Sequence, residues 1–166
     1  QYVAARLLLF GLRKNLYGRI HELPTLLDQI KRGVDKGIYD GDILNKYTES
    51  EIEDLDKIID HERDYLFTYA GLRQVVDKYL VQDRSTGALY ETPQFMYLLI
   101  AMTIFAEYPP ENRIDYVTRY YNAISRHKIN IPTPIMGGVR TPIRQFASCV
   151  LVDVDDTLDS IFSSDM

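Results

Sequence analysis

The longest uncharged stretch of the chain is TPQFMYLLIAMTIFA, residues Thr92–Ala106, which lies between two glutamates. Thr92 is a typical N-cap residue, and Pro93 suits the first helical position because its φ is already fixed near the helical value. The stretch therefore predicts a helix over Gln94–Glu107. It is shorter than the roughly 20 apolar residues that cross a bilayer. We expect a buried central helix and no membrane anchor.

Amphipathic helices are predicted on both sides of this stretch, because apolar residues recur there at helical spacing. Thr48 and Glu51 have the spacing of a capping box, in which each side chain binds a free amide of the first helical turn. A polar turn with one glycine joins two β-prone runs, which predicts a small antiparallel β-hairpin. The predicted helices are Tyr2–Tyr17 closed near Gly18, a helix that Pro24 opens and Gly37 ends, Thr48–Ile59, Asp64–Tyr79 and Glu111–His127, and the hairpin pairs Tyr79–Gln82 with Ala88–Tyr90.

The sequence after residue 128 has a different composition. Its prolines and glycines predict loops and short strands. Phe146–Val152 is a continuous run of apolar or small residues, typical of a buried strand. Asp155–Ser160 fits the cap and first turn of a helix. We therefore predict a mainly α chain, with a helical N-terminal lobe over residues 1–128 and the opening of a strand–loop–helix domain over residues 129–166.

Composition and charge narrow the function classes. The chain has 24 acidic and 19 basic side chains and a formal net charge of −5. It therefore lacks a global basic surface for nucleic acid or an anionic membrane. The single Cys149 cannot form an internal disulfide, and no secretory signal opens the chain, so we expect a cytoplasmic protein. Because the chain starts inside an amphipathic pattern and stops soon after its most acidic motif, we expect a segment of a longer protein.

Three groups of residues favour structural roles. Asp60–Asp64 is dense in ligand types, but neighbouring helical residues point in different directions, which favours a solvated turn over a metal site. His21 and His127 have no partner at metal-ligand spacing. The 13 tyrosines have no accompanying basic patch, which favours core and interface positions over stacking on nucleic acid. No metal site is predicted.

Two motifs near the end of the chain carry candidate chemistry. Cys149 is either an inert apolar residue or a reactive thiol, for which Arg140 and Arg144 would supply a positive environment.

The motif that contains Asp153 and Asp155 resembles the first motif of haloacid-dehalogenase-like phosphohydrolases. In that family the first Asp is the nucleophile and the second the acid/base, with bound Mg²⁺. That family also needs a lysine and a second acidic cluster after the motif, and almost nothing follows it here.

A resemblance to a different family covers almost the whole chain. Pro132–Leu151, which contains PTPIMGGVRTP and RQFASCVL, closely resembles the large catalytic subunit of class I ribonucleotide reductases. The resemblance implies a helical lobe packed on a ten-stranded α/β barrel, so residues 129–166 would contribute the first strand and loop of that barrel. Four earlier segments agree with it, namely Ala4–Leu7, Asp60–Asp64, Lys78–Gln82 and Gly87–Phe95.

The resemblance implies a substrate site around three of these residues. Cys149 matches the redox-active cysteine that lies beside the substrate and forms a disulfide with a distant cysteine in each turnover. Thr133 and Ser148 match positions that hold the nucleoside diphosphate. Hydroxyl and amide groups suit an anion that is bound without a large net positive charge.

The resemblance also implies an allosteric site for nucleotides. Asp156, Thr157 and Leu158 match the beginning of the specificity site for deoxynucleoside triphosphates. There Asp156 would be a helix N-cap and an acceptor for a nucleotide group. Lys14 matches a basic residue near the nucleotide-binding cone that precedes this lobe in many family members.

For the intact protein, the resemblance implies reduction of ribonucleoside diphosphates to 2′-deoxyribonucleoside diphosphates by a cysteine radical, controlled by ATP and deoxynucleoside triphosphates. It implies a homodimer, a small metal- and radical-bearing partner subunit and a thioredoxin- or glutaredoxin-type reductant, with no cofactor bound by this segment. Several required cysteines belong to segments that this sequence does not contain, so the segment alone is expected to be inactive. The alternatives are a phosphohydrolase that uses Asp153 and Asp155 and a non-catalytic helical module that binds a partner.

Overall fold

The computed structural model describes residues 1–83, 85–143, 146–149 and 151–164. Over these ranges the protein is mainly helical, as the sequence predicted, and contains no β-strand. One 3-10 helix, His61–Leu66, lies between α4 and α5. The α-helices are α1 (Tyr2–Tyr17), α2 (Leu26–Asp35), α3 (Asp42–Lys46), α4 (Glu49–Asp56), α5 (Tyr69–Lys78), α6 (Pro93–Ile104), α7 (Pro110–Ser125), α8 (Thr133–Gly138) and α9 (Leu158–Ser164).

Helix α6 lies at the centre of the core, as its uncharged sequence predicted. All of its residues from Pro93 to Met102 are buried, which is the arrangement expected for a helix that is apolar on every side. Helices α7 and α8 pack against α6, α1 packs against α5, and α2 against α4. Each fully buried Leu, Ile, Met or Phe contributes about 1.5–3 kcal/mol, so this helix organises the lobe.

Two predicted helix boundaries are confirmed by their capping bonds. Helix α1 ends at Gly18, whose φ of 72° is readily adopted only by glycine and whose N–H donates to the carbonyl of Lys14 at 2.8 Å. At the start of α4, the amide of Glu51 donates to Thr48 Oγ1 at 3.3 Å. The Glu51 carboxylate accepts from the amide of Thr48 at 2.8 Å, which completes the capping box.

Other boundaries differ because local caps and turns decide them. Pro24 was predicted at the first position of the second helix, but α2 begins at Leu26, after Thr25, which caps it by accepting from the amide of Asp28. The helix predicted over Asp64–Tyr79 begins only after Thr68, whose hydroxyl accepts from the amide of Gly71. Helices α3 and α8 were not predicted. In α8 the proline lies in the first turn, where its missing N–H costs no helical hydrogen bond.

The predicted β elements are not observed in the described residues. Gln82 and Leu89 form only an isolated antiparallel bridge, because a short two-stranded hairpin is marginally stable without a third strand. Phe146–Val152 contains no strand in its described part, and Leu151 is fully exposed. A strand needs a neighbour to accept and donate its backbone hydrogen bonds, and the described residues provide none. Val150 lies outside the described residues.

Candidate functional site

The centre of the candidate site is a buried ion pair between Arg140 and Glu91. Both side chains are almost completely buried, with exposed fractions of 1% and 0%. Arg140 Nε lies 3.1 and 3.0 Å from the two oxygens of Glu91, and Arg140 Nη2 also donates to Glu91 Oε1. The two residues are separated by 49 positions, so the pair fixes the segment after α7 to the segment before α6.

The same carboxylate gathers further donors from the lobe. The amide of Val81 donates to Glu91 Oε1 at 2.9 Å, and the hydroxyl of Tyr39 donates to Glu91 Oε2 at 2.8 Å. Gln29 Nε2 donates to the Tyr39 hydroxyl at 2.9 Å. Burial, with the negative charge of Glu91 as a second cause, raises the pKa of Tyr39 well above its usual range. The Tyr39 hydroxyl therefore stays protonated and remains a donor to Glu91.

Arg140 also connects the ends of two helices. Its Nη1 donates to the carbonyl of Met136 in α8 at 2.5 Å, and its Nη2 donates to the carbonyl of Tyr79 at 2.8 Å. Tyr79 is the C-cap of α5. Because one planar guanidinium makes both bonds, it fixes α8 relative to the end of α5.

A groove of about 400 Å³ lies beside this junction. Thr133, the first residue of α8, lines the groove, and its Oγ1 is 3.3 Å from the hydroxyl oxygen of Tyr79. At the same groove, the ring of His127 packs on the ring of Phe67, with 4.6 Å between the ring centroids. Burial lowers the pKa of His127. Further polar side chains lining the groove are Thr68, Gln74 and Asn130.

Ser148 and Cys149 lie elsewhere on the surface. Both are exposed, and Ser148 Oγ is 3.9 Å from Cys149 Sγ. Neither lines the groove beside Thr133, so the structure does not bring the three predicted substrate residues together. Arg140 cannot supply the predicted positive environment for the thiol, because its guanidinium is buried against Glu91. Arg144 lies outside the described residues.

The predicted effector residues precede and begin α9. Asp156, Thr157 and Leu158 are exposed, as are Asp153 and Asp155. Thr157, and not the predicted Asp156, caps the helix, because the amide of Ser160 donates to Thr157 Oγ1 at 3.2 Å. Lys14 is exposed in the last turn of α1.

The described part of the chain contains neither a metal-ligand cluster nor a membrane-spanning helix. No group of three His, Cys, Asp or Glu side chains there could hold a metal ion, so Asp153 and Asp155 are not joined by a third such ligand. None of the described helices has both the length and the apolar character that a membrane span requires.

A second buried network lies in the segment that was predicted to be a solvated turn. Asp64 is almost fully buried, and its two oxygens accept from Arg13 Nη2 at 3.0 Å and from Gln94 Nε2 at 2.9 Å. Gln94 Oε1 in turn accepts from the Tyr121 hydroxyl at 2.8 Å. The prediction was wrong for Asp64 because its partners lie far away in sequence, where local charge density gives no sign of them.

Burial perturbs two neighbouring ionisable groups in opposite directions. It raises the pKa of Asp64 to about 6, against the lowering effect of the bonds from Gln94 and Arg13. It lowers the pKa of His61 to about 4, and the positive charge of Arg13 adds to this effect. Asp64 is thus ionised and His61 neutral at pH 7.

These two shifts predict an unusual pH dependence of stability. The contribution of His61 to the free energy of unfolding is complete above pH 6.5 and is lost as the pH falls through about 4. That of Asp64 is complete below pH 3.8 and is lost as the pH rises through about 6. The two effects therefore oppose each other in mild acid. In His61→Phe only the Asp64 effect remains. When the pH falls from 7 to 4, the free energy of unfolding of this variant should therefore rise by up to about 3 kcal/mol relative to that of the wild type.

Urea denaturation of both proteins across this pH range measures the difference. A His61→Phe protein whose stability follows that of the wild type in parallel over the whole range would contradict the assigned shift of His61.

Comparisons with known proteins agree with the resemblance seen in the sequence. Residues 65–144 match the family model described as the all-alpha domain of ribonucleotide reductase. Over 161 residues, the chain is 53% identical to ribonucleoside-diphosphate reductase 1 subunit alpha of Escherichia coli (strain K12), covering 97% of this chain and 21% of that protein. Coverage is the same for the alpha subunits of Haemophilus influenzae, at 53% identity, and Enterobacteria phage T4, at 48%. The chain spans about a fifth of the length of these relatives.

The helical lobe and the matched region define the class of protein as a ribonucleotide reductase all-alpha domain. With about half of its residues identical to the alpha subunits, the chain belongs more particularly to the family of class I ribonucleotide reductase large subunits, as an N-terminal segment.

Proposed function

We propose that the complete protein containing this segment reduces ribonucleoside diphosphates to 2′-deoxyribonucleoside diphosphates for DNA synthesis. The observation that carries the proposal is the 53% identity to a ribonucleoside-diphosphate reductase alpha subunit over 97% of the chain. The reaction replaces the C2′ hydroxyl by hydrogen and releases water. It consumes two electrons and two protons, which two thiols supply when they form a disulfide.

In this proposal Cys149 is one of the two thiols, and a cysteine outside the segment is the other. Cys149 is exposed in this segment, as a thiol that meets both a substrate and a second cysteine must be. Thr133 and Ser148 hold the diphosphate through their hydroxyls. Donation from neutral hydroxyls suits a chain with a net charge of −5, which lacks a general attraction for anions.

The segment's place in the complete enzyme is part of the same proposal. Residues 1–128 form the helical lobe, and residues 129–166 lead into an α/β barrel to which the run Phe146–Val152 adds a strand when its neighbours are present. The complete subunit forms a homodimer in the cytoplasm. A small metal- and radical-bearing subunit generates the cysteine radical, and a thioredoxin- or glutaredoxin-type protein reduces the disulfide.

Allosteric control is assigned to the exposed start of α9. Asp156, Thr157 and Leu158 bind a deoxynucleoside triphosphate, and Lys14 contributes to the binding of an effector nucleotide. Because Thr157 caps α9, the carboxylate of Asp156 is not required for the cap and can accept a hydrogen bond from an effector hydroxyl.

The proposed role of Asp156 predicts a selective loss of affinity for the effector. Asp156→Ala in the complete subunit should weaken the apparent affinity for deoxynucleoside triphosphate effectors roughly tenfold, the effect of losing one hydrogen bond to a charged acceptor. Reduction of each ribonucleoside diphosphate is measured while the effector concentration is varied. An unchanged effector response would contradict the assignment.

The proposed function itself is tested with the complete subunit, its radical-bearing partner and a dithiol reductant. The four ribonucleoside diphosphates are supplied in turn with ATP or a deoxynucleoside triphosphate, and products are separated by chromatography. Deoxyribonucleoside diphosphates are the expected products. Their absence in all combinations, with the radical of the partner shown to be present by electron paramagnetic resonance, would overturn the proposal.

A further inference from the structure

We propose that Tyr79 is a positioning residue for the diphosphate of the substrate, acting through the hydroxyl of Thr133. The inference rests on the proposed function, because it assumes that Thr133 contacts a phosphate oxygen. The observation behind it is the 3.3 Å separation between Tyr79 Oη and Thr133 Oγ1 at the groove. Nothing in the sequence pattern connects these two residues, which lie 54 positions apart.

The backbone of Tyr79 is hydrogen-bonded through both its amide and its carbonyl. Its amide donates to the carbonyl of Val75 at 2.9 Å, and its carbonyl accepts from Arg140 Nη2 at 2.8 Å. Arg140 is itself fixed by the buried carboxylate of Glu91 and donates to the carbonyl of Met136 in α8. The backbone of Tyr79 and the helix that carries Thr133 are therefore both bonded to Arg140, which brings the two hydroxyls within 3.3 Å of each other.

The chemistry of the two hydroxyls gives the contact a direction when a phosphate binds. Each hydroxyl has one proton to donate and two lone pairs that accept. An ionised phosphate oxygen only accepts, so Thr133 must donate its single proton to it. The Tyr79 hydroxyl is then the only member of the pair that can donate to the other. Its bond to Thr133 Oγ1 directs the Thr133 proton away from Tyr79 and towards the ligand.

The inference predicts an effect on substrate binding rather than on the chemical step. Tyr79→Phe keeps the ring and the carbonyl that Arg140 binds, and it removes only the hydroxyl. In the complete subunit with its partner, the KM for a ribonucleoside diphosphate should rise roughly three- to tenfold, the effect of one neutral hydrogen bond. The value of kcat should change much less. Thr133→Val removes the proton donor itself and should raise KM at least as much.

A double-mutant cycle separates positioning from a general structural role. If Tyr79 acts through Thr133, then Tyr79→Phe should have little further effect on KM in the Thr133→Val protein. The matched control is Tyr69→Phe, which removes an exposed hydroxyl from the first residue of the same helix, α5. It should leave KM at the wild-type value.

Each other outcome identifies what has failed. If Thr133→Val raises KM but Tyr79→Phe does not, or if the two effects multiply, the positioning role is wrong and the proposed function stands. A fall in kcat at constant KM for Tyr79→Phe would also overturn it. If neither substitution alters KM, Thr133 does not hold the diphosphate, and both this inference and that part of the proposed function are wrong. A wild-type complete enzyme that reduces no diphosphate overturns the proposed function, and this inference with it.

Discussion

Arg140→Met is expected to lower the free energy of unfolding of this chain by about 3–5 kcal/mol, the usual cost of removing one partner from a buried ion pair. The substitution leaves the carboxylate of Glu91 buried without its cation. It also removes the donors to the carbonyls of Met136 and Tyr79. Methionine approximates the volume of the arginine stem, so the loss comes from charge and hydrogen bonding more than from a cavity.

Urea denaturation followed by circular dichroism measures this change, and the slope m should stay constant if only stability is altered. The matched control is Arg119→Met. Arg119 pairs with Asp115 at 3.5 Å on an exposed helical surface, where both side chains are at least 70% exposed. Its replacement should change the free energy of unfolding by less than about 1 kcal/mol.

A second substitution distinguishes an unpaired charge from lost packing. Glu91→Gln in the Arg140→Met protein removes the uncompensated charge, so the double variant should be more stable than Arg140→Met alone. The explanation is wrong if the single variant loses less than about 1 kcal/mol, or if the double variant loses the sum of both single effects.

The parts of the fold that the sequence predicted are those decided by local rules. The uncharged run after Thr92 became the buried helix α6, and Thr48 with Glu51 formed the capping box. Gly18 ended α1 with a positive φ. Each of these features depends on residues within a few positions of one another, so no knowledge of distant contacts was needed.

The parts that could not be predicted depend on distant partners. Glu91 borders an apolar run and has the appearance of a helix end in solvent, yet it is fully buried because Arg140 and Tyr39 reach it from other segments. Asp64 was misjudged for the same reason. The hairpin and the strand Phe146–Val152 failed in the opposite way, because their β-prone residues lack the neighbouring strands that a sheet requires.

The candidate site shows the same division. The resemblance marked Thr133, Ser148 and Cys149 because they belong to one continuous sequence motif. It did not mark Tyr79, because the contact between Tyr79 and Thr133 exists only after α5 and α8 have been brought together by Arg140. The sequence signal for Tyr79 is weaker and consists of its place within the similar segment Lys78–Gln82.

Cys149→Ser is expected to abolish multiple turnover in the complete enzyme. Serine keeps the size of the side chain and its ability to donate a proton, but it cannot form the disulfide that supplies the two electrons. With the partner subunit and a dithiol present, the rate of deoxyribonucleoside diphosphate formation should fall at least about 100-fold, corresponding to about 2.7 kcal/mol or more in the activation barrier. The assay follows product over many equivalents of enzyme.

The control for Cys149→Ser is a measurement of substrate binding by the same variant. Cys149 is exposed and its Sγ contacts only the neighbouring hydroxyl of Ser148 among the hydrogen bonds of the described residues, so the substitution should leave the lobe folded. Binding of a ribonucleoside diphosphate, measured by equilibrium dialysis, should stay within a fewfold of wild type. Loss of turnover with binding retained assigns the electrons to this thiol, because serine differs from cysteine here chiefly in its redox chemistry. Sustained turnover near the wild-type rate would show that the electrons come from other cysteines, and Cys149 would then be an ordinary surface residue.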